Sequence, residues 1–436
     1  MLIGCIGHSC VYVKTNKVRL LIDPWLTDRL DRMWVHWPKL DNNLLEESLD
    51  VNTIILTHHH CDHHDFNSLR MLSKTAKVFF PASGKNVRVA GSGMGHQAIA
   101  YTLQALGFKN IYPLENFVDF NYEDIKISTF PSKVEFPEQS FFIRNNDCSL
   151  FVAGDCILHP KTEEFFSKNN PNIDLAFVPT HSTSPHLPLT NRKHDADYSK
   201  YIATSQARFK KYCKLLNPKY VVPSALGWKI DATDEENFSW GNHLLFPLTI
   251  DQTPELVEDN KVIIMGPGDK VEFKSNNLQP VKLNYDKNKM TKYSEDITFI
   301  QNTKIPAFQP SVFNNKEYDN TELLNKFLAK IPGSGYWNRA LESNRRFIVR
   351  ISNKSEDDTF LVNLSSNSIE SVGAESMNDF PFTWISSETL KKLLDSSLLI
   401  QNSYGLWTSN DMLLSSIFHH PKYYIDHLSN WIKNNE

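Results

Sequence analysis

Apolar residues in the first half of the chain fall into short runs: Val11-Tyr12-Val13, Val18 to Ile22, Ile54-Ile55-Leu56, Val78-Phe79-Phe80, Ile125-Lys126-Ile127, Phe141-Phe142-Ile143 and Leu150-Phe151-Val152. They are rich in β-branched and aromatic residues and broken by Asn, Asp, Lys, Gly and Pro, which predicts strands. Helical spacing appears between some of them, from Gly95 to Leu106 and from Tyr198 to Leu216. The second of these is closed by Asn217-Pro218 before a further strand, Lys219 to Val222. Strands and helices in this rhythm predict an α/β fold of two sheets covered by helices.

After Val262 to Asp269 the composition shifts toward Asn, Lys and Ser. The chain is therefore read as a domain over 1–275 and a smaller α+β extension over 276–436, expected to pack on it. The extension has predicted helices Leu323 to Ile331 and Ser387 to Leu394, strands Phe347 to Ile351 and Phe360 to Val362, and a last helix around Tyr423 to Ile432.

At 436 residues with 41% apolar content, the chain can bury a large core. Its net charge is −4 and Lys and Arg form no long run, so neither nucleic acid nor an anionic membrane surface is an expected partner. The start, Met1-Leu2-Ile3-Gly4-Cys5, lacks the charged region of a signal peptide, and six irregularly spaced cysteines fit reduced thiols. A cytoplasmic location is the expectation.

The densest chemistry follows the run Ile54-Ile55-Leu56, in Thr57-His58-His59-His60-Cys61-Asp62-His63-His64-Asp65. On an extended segment His58 and His60 point the same way and can share one metal ion. Asp62 and His63, past the turn, can reach a second. A dinuclear site also calls for a bridging carboxylate, and Asp155 in Val152-Ala153-Gly154-Asp155-Cys156 stands just after a strand. Cys61 and Cys156, beside proposed ligands, read as inert buried thiols.

With Gly7-His8-Ser9, Leu21-Ile22-Asp23-Pro24-Trp25, the histidine motif and Gly154-Asp155, residues 1–270 resemble the metallo-β-lactamase superfamily. The resemblance implies an αββα sandwich with metals at one rim. Its hydrolytic members use one histidine between the motif and the bridging aspartate, and another after a late strand. Here the first position reads Pro131-Ser132-Lys133-Val134-Glu135-Phe136-Pro137-Glu138 and the second Pro223-Ser224-Ala225-Leu226-Gly227-Trp228. Glu135 is the best substitute ligand, with Glu138 second, and His181 can complete the second metal.

The chain is also similar, over most of its length, to the catalytic part of the CMP-N-acetylneuraminate hydroxylases. Matching stretches are Asp23-Pro24-Trp25-Leu26, the histidine motif, Asp155-Cys156, Phe209-Lys210-Lys211-Tyr212, Leu216-Asn217-Pro218-Lys219 and Phe418-His419-His420-Pro421-Lys422-Tyr423-Tyr424. The resemblance implies iron and dioxygen activation; the counterpart of His181 there is an aspartate. That family also carries a Rieske [2Fe-2S] domain. Cys61-Asp62-His63 and Cys156-Ile157-Leu158-His159 match its letters but lie far apart, and His63 belongs to the metal motif, so no Rieske cluster is expected.

These readings predict a non-haem diiron oxygenase acting on a small polar substrate, sugar- or amino-acid-derived. His58, His60 and Glu135 are assigned to one ion, Asp62, His63 and His181 to the other, and Asp155 bridges, with Asp62 and His181 nearest the chemistry. Carboxylate replacing histidine shifts preference toward iron, with zinc and manganese as alternatives. Dioxygen and an external donor, a separate reductase or ferredoxin, are the expected partners. Trp34, Trp37, His186 and Trp228 are candidate substrate contacts. The alternatives are a dinuclear zinc hydrolase of an ester, amide or phosphodiester, and a non-catalytic metal-holding protein.

Overall fold

Two sheets of similar construction lie at the centre of the first half of the molecule, in a computed structural model. It describes residues 1–30, 34–60, 62–82, 96–134, 137–180, 199–225, 228–230, 253–257, 261–279, 317–329, 346–394 and 406–408. In the first sheet, strands Leu2–Gly7, Cys10–Lys14 and Arg19–Ile22 are antiparallel neighbours. Thr53–Ile55, Lys77–Pro81 and Asn110–Leu114 then follow in parallel, reached through helices Asn42–Leu49, Phe66–Met71 and His96–Ala105. Lys270–Lys274 and Asn277–Leu278 add to the N-terminal edge.

The second sheet repeats the plan. Asp119–Tyr122, Ile125–Pro131, Gln139–Arg144 and Ser149–Val152 are antiparallel. Leu175–Pro179 and Tyr220–Ser224 follow in parallel, through helices Pro160–Asn169 and Ser199–Leu216. Short connections give antiparallel pairs and helical crossovers give parallel ones.

Alternation along the strands makes the layers. Val11, Val13, Leu20, Ile22 and Ile55 join Ile127, Phe141, Ile143, Leu150 and Val152 in the core between the sheets. Their neighbours Tyr12, Leu21, Ile54, Val78 and Phe80 pack instead with Leu44, Leu69 and Leu103 of the helices. On the other sheet Phe142, Phe151, Ala176 and Val178 meet Phe166, Phe209 and Tyr212. Sheets covered on both faces need apolar residues at successive positions, which explains the unbroken apolar runs. The result is the αββα sandwich expected from the sequence.

Strand direction sets where the chemistry collects. Because Arg19–Ile22 and Thr53–Ile55 are parallel, Asp23 and the loop from Thr57 leave the first sheet on one edge. Leu2–Gly7 is two antiparallel steps from Arg19–Ile22 and so ends on the same side, at His8. Beside this rim a small sheet joins Arg29–Leu30, Trp34–His36 and Trp228–Ile230, with Trp228 opposite His36 and Ile230 opposite Trp34.

The described residues divide into two compact units, one through Gln279 and one from Glu317 onward. The second has a five-stranded sheet in the order Ser368–Ser371, Asp357–Asn363, Arg346–Ser352, Phe382–Ser386 and Leu406–Thr408. Helices Asn320–Ala329 and Ser387–Leu394 cover one face, where Leu324, Phe327 and Leu390 meet Phe347, Val349, Ile351, Phe360 and Ile385. The helix expected around Tyr423 to Ile432 and the motif Phe418 to Tyr424 lie outside the described residues. Among the described residues no helix is long and apolar enough to cross a membrane.

Candidate metal centre

Asp23 organises the loop that carries the histidines. It follows its strand with φ +48°, a left-handed conformation that turns its carboxylate across the rim. Thr57 donates to it twice, from the backbone N–H and from Oγ1, each at 2.7 Å, and His63 Nδ1 lies 2.8 Å away. Beyond Thr57, the N–H groups of His63 and His64 donate to the His60 carbonyl at 3.0 and 2.9 Å, closing a tight turn. Asp65 then caps helix Phe66–Met71 by accepting from the Ser68 N–H. From the other sheet, Gly154 passes so close that a Cβ there would stand 3.0 Å from Thr57 Cγ2, and its φ is +58°. Asp155 follows directly.

Two groups of donor atoms result: His58, His60 and Asp155 form one, and His8, Asp62 and His63 the other, with the donor atoms of each within 4.8 Å of one another. In the first, His58 Nε2 faces His60 Nδ1 at 2.7 Å. In the second, Asp62 Oδ2 lies 3.1 Å from His8 Nε2 and 3.7 Å from His63 Nε2. Asp155 connects the groups, its Oδ1 being 3.3 Å from His63 Nε2.

The electrostatics call for cations. Burial, reinforced by His63 and His60, drives His58 well below the ordinary histidine range. His60 is lowered too, chiefly by burial, so both imidazoles favour the neutral form, in which each keeps one ring nitrogen with a lone pair able to bind a metal. Burial also opposes charge on His63, but Asp155, Asp62 and Asp23 outweigh it and raise its pKa well above normal. Asp62 is held well below the usual carboxylate range because His63 and His8 overcome its burial. His63 Nε2 is buried without a hydrogen bond, which a metal ion would remedy. Imidazole and carboxylate oxygen donors suit iron, zinc or manganese, and these residues fit a two-ion centre.

Of the residues expected from sequence, His58, His60, Asp62, His63 and Asp155 come together. Glu138 is buried behind His58, its Oε1 3.6 Å from Nδ1, the nitrogen turned away from His60. Burial, then Asp155, pushes its carboxyl up to about 8. Glu135, His181, His186 and Cys61 lie outside the described residues. Trp34 and Trp228 are placed by backbone in adjacent strands, and Trp37 is half-buried just past Trp34–His36. Cys156 is buried, and burial pushes its thiol well up, as an inert thiol requires.

Sequence reasoning assigned no role to His8, although Gly7-His8-Ser9 stood at a strand end. It also gave none to Arg208, which is buried on helix Ser199–Leu216 in the field of Asp155 and Glu138. His36 belongs with Trp34 and Trp37 to the loop expected from sequence to lie near the metal rim. It stacks on Trp25 with ring centroids 3.9 Å apart, and burial lowers its pKa to about 3.

Fold and site together define a metal-dependent sandwich protein. The family model described as the beta-lactamase superfamily domain matches residues 3–225, just over half of the chain, and the chain belongs to the metallo-β-lactamase superfamily. Among curated relatives, a UPF0173 metal-dependent hydrolase of Bacillus cereus is 26% identical over 182 residues, covering 40% of this chain and 70% of the relative. One from Bacillus mycoides is 26% identical over 181 residues with the same coverage. Among solved structures, CmlA, a diiron β-hydroxylase from Streptomyces venezuelae, shares 17% identity at TM-score 0.39, over 69% of this chain and 51% of CmlA. This chain thus spans about half the length of that enzyme. An isothiocyanate hydrolase from Delia radicum gut bacteria shares 16% at TM-score 0.42, over 63% of this chain and all of that one.

Proposed function

We propose that the chain is a dinuclear oxygenase with iron as its working metal, oxidising a small polar substrate at the rim. The observation carrying this reading is the donor set. Histidine–carboxylate groups meet at Asp155, while the strand ends at Pro131–Val134 and Ser224–Ala225, where hydrolytic relatives use histidine, bear none. Mixed histidine–carboxylate sets that leave positions open are the kind used by non-haem iron oxygenases.

His58, His60 and Asp155 would hold one ion, and Asp62 and His63, with Asp155 shared, the other. Bound there, the pair supplies dioxygen activation, with overall balance R–H + O2 + 2e⁻ + 2H⁺ → R–OH + H2O, the electrons coming from a separate reductase or ferredoxin. Asp23 fixes His63 through Nδ1, and Thr57 and Glu138 flank Nδ1 of His58, so the ring nitrogens facing the ions are set in advance. In this reading Trp34, Trp37 and Trp228 would wall the substrate, with His186 as a further contact; strand pairing brings the backbones of Trp34–His36 and Trp228–Ile230 together.

A second reading is a zinc hydrolase of an ester, amide or phosphodiester; its hydrolytic part is favoured by the Bacillus relatives, named metal-dependent hydrolases, which this chain matches over 70% of their length. Protein purified aerobically from an iron-supplemented host should hold about two irons per chain and consume oxygen in a reductant-dependent manner. Stoichiometric zinc without iron, together with hydrolysis of a test ester, would replace the oxygenase by the hydrolase.

A further inference from the structure

We infer that His8 is the fourth protein donor to the second ion, beside Asp62, His63 and the shared Asp155, binding through Nε2. The inference rests on the two-ion reading and deepens it. Four donors around an ion at about 2.1 Å stand roughly 3.4 Å apart at the corners of a tetrahedron. Around the second group the separations are 3.1 Å from His8 Nε2 to Asp62 Oδ2, 3.7 Å from Asp62 Oδ2 to His63 Nε2, and 3.3 Å from His63 Nε2 to Asp155 Oδ1. These values straddle that edge. Three edges thus have the right size, and His8, Asp62, His63 and the shared Asp155 offer two nitrogens and two oxygens. No residue from the late strand is needed.

The sequence places this histidine with some care. Leu2–Gly7 reaches the rim from the first sheet, and Gly7 and His8 both take positive φ, +153° and +48°, bending the chain inward. The space above Gly7 is filled by His36, whose Nδ1 would lie 3.0 Å from a Cβ there. The ring of His8 then sits edge-on to His63, centroids 5.2 Å apart, and to Trp25 at 5.8 Å. It is 8% exposed, so its orientation is fixed by packing.

The alternative is that His8 only hydrogen-bonds Asp62. Two variants separate these roles, with cobalt(II) as the probe. His8→Gly keeps the backbone at ease, since glycine accepts a positive φ without strain. His8→Gln keeps a side-chain N–H of similar reach that can donate to Asp62, while its amide oxygen is a far weaker donor to cobalt(II) than imidazole. Wild-type protein should take up about two cobalt ions per chain, read by elemental analysis and by visible absorption. Both variants should hold about one, with second-ion affinity reduced by more than about 100-fold, beyond the usual loss from an orienting contact. Added imidazole should restore the second ion to His8→Gly. If His8→Gln, folded by circular dichroism, still binds two ions at wild-type affinity, His8 is no ligand. If wild-type protein itself takes up fewer than two, the two-ion reading falls and this role with it.

Discussion

His63 is the residue on which the site's electrostatics converge. Its Nδ1 rests on Asp23, and its Nε2 has Asp155 and Asp62 within 3.7 Å. One imidazole among three carboxylates leaves excess negative charge that a divalent ion offsets. Asp62→Ala should therefore empty the second position, leave about one ion per chain and lower turnover by at least about 100-fold. Metal analysis beside oxygen uptake checks both parts. Gly154 tests the frame instead of the ligands. Alanine there would hold an unfavourable φ and press on Thr57, the residue that fixes Asp23. Gly154→Ala should cost about 1–3 kcal/mol in urea unfolding and weaken metal retention, although it removes no donor.

At the scale of elements, the rim depends on strand Gln139–Arg144 starting beside the histidine loop. Gln139 N–H donates to the Thr57 carbonyl at 3.0 Å, tying one sheet to the other, and Glu138 precedes it in the buried space behind His58. Burial raises the Glu138 carboxyl from its ordinary 4.5 to about 8, so the folded, metal-free chain prefers it protonated. For a raised acid, the stabilisation is complete below the unfolded value and lost as pH rises through the folded one. Metal-free Glu138→Gln, which cannot ionise, should therefore gain on wild type between pH 4.5 and about 8. Urea midpoints at pH 5 and pH 8 measure the difference. The elements themselves were largely legible. Helix Ser199–Leu216 falls within one residue of its expected span, because apolar periodicity and Asn217-Pro218 mark its limits. The four motif residues and Asp155 were legible because one loop concentrates the four and strand order brings Asp155 to the same edge. His8 was not, because its approach depends on two antiparallel steps of sheet pairing and on a positive φ, neither written in local spacing. Glu138 was seen as a spare ligand; its place behind His58 follows from inter-sheet contact.

For the whole molecule, the two compact units make different thermodynamic predictions. The first draws its candidate metal donors from both sheets, joining loops after Leu2–Gly7, Thr53–Ile55 and Ser149–Val152. A metal bound there has no comparable site in the unfolded chain, so its binding free energy adds to stability. At free metal 100 times the dissociation constant that amounts to about 2.7 kcal/mol. The second unit is built on its own core of Leu324, Phe327, Phe347, Val349, Ile351 and Ile385, and none of its described residues belongs to either donor group. Scanning calorimetry with and without a chelator should therefore show metal removal lowering the midpoint for the sandwich, whereas a transition belonging to the second unit keeps its temperature. Hydrogen exchange locates the change. Protection at Thr57, His63 and Asp155 should fall on chelation and that of Arg346–Ser352 should not. Equal loss of protection in Arg346–Ser352 would mean that the second unit depends on the metal centre, a coupling its separate core does not predict.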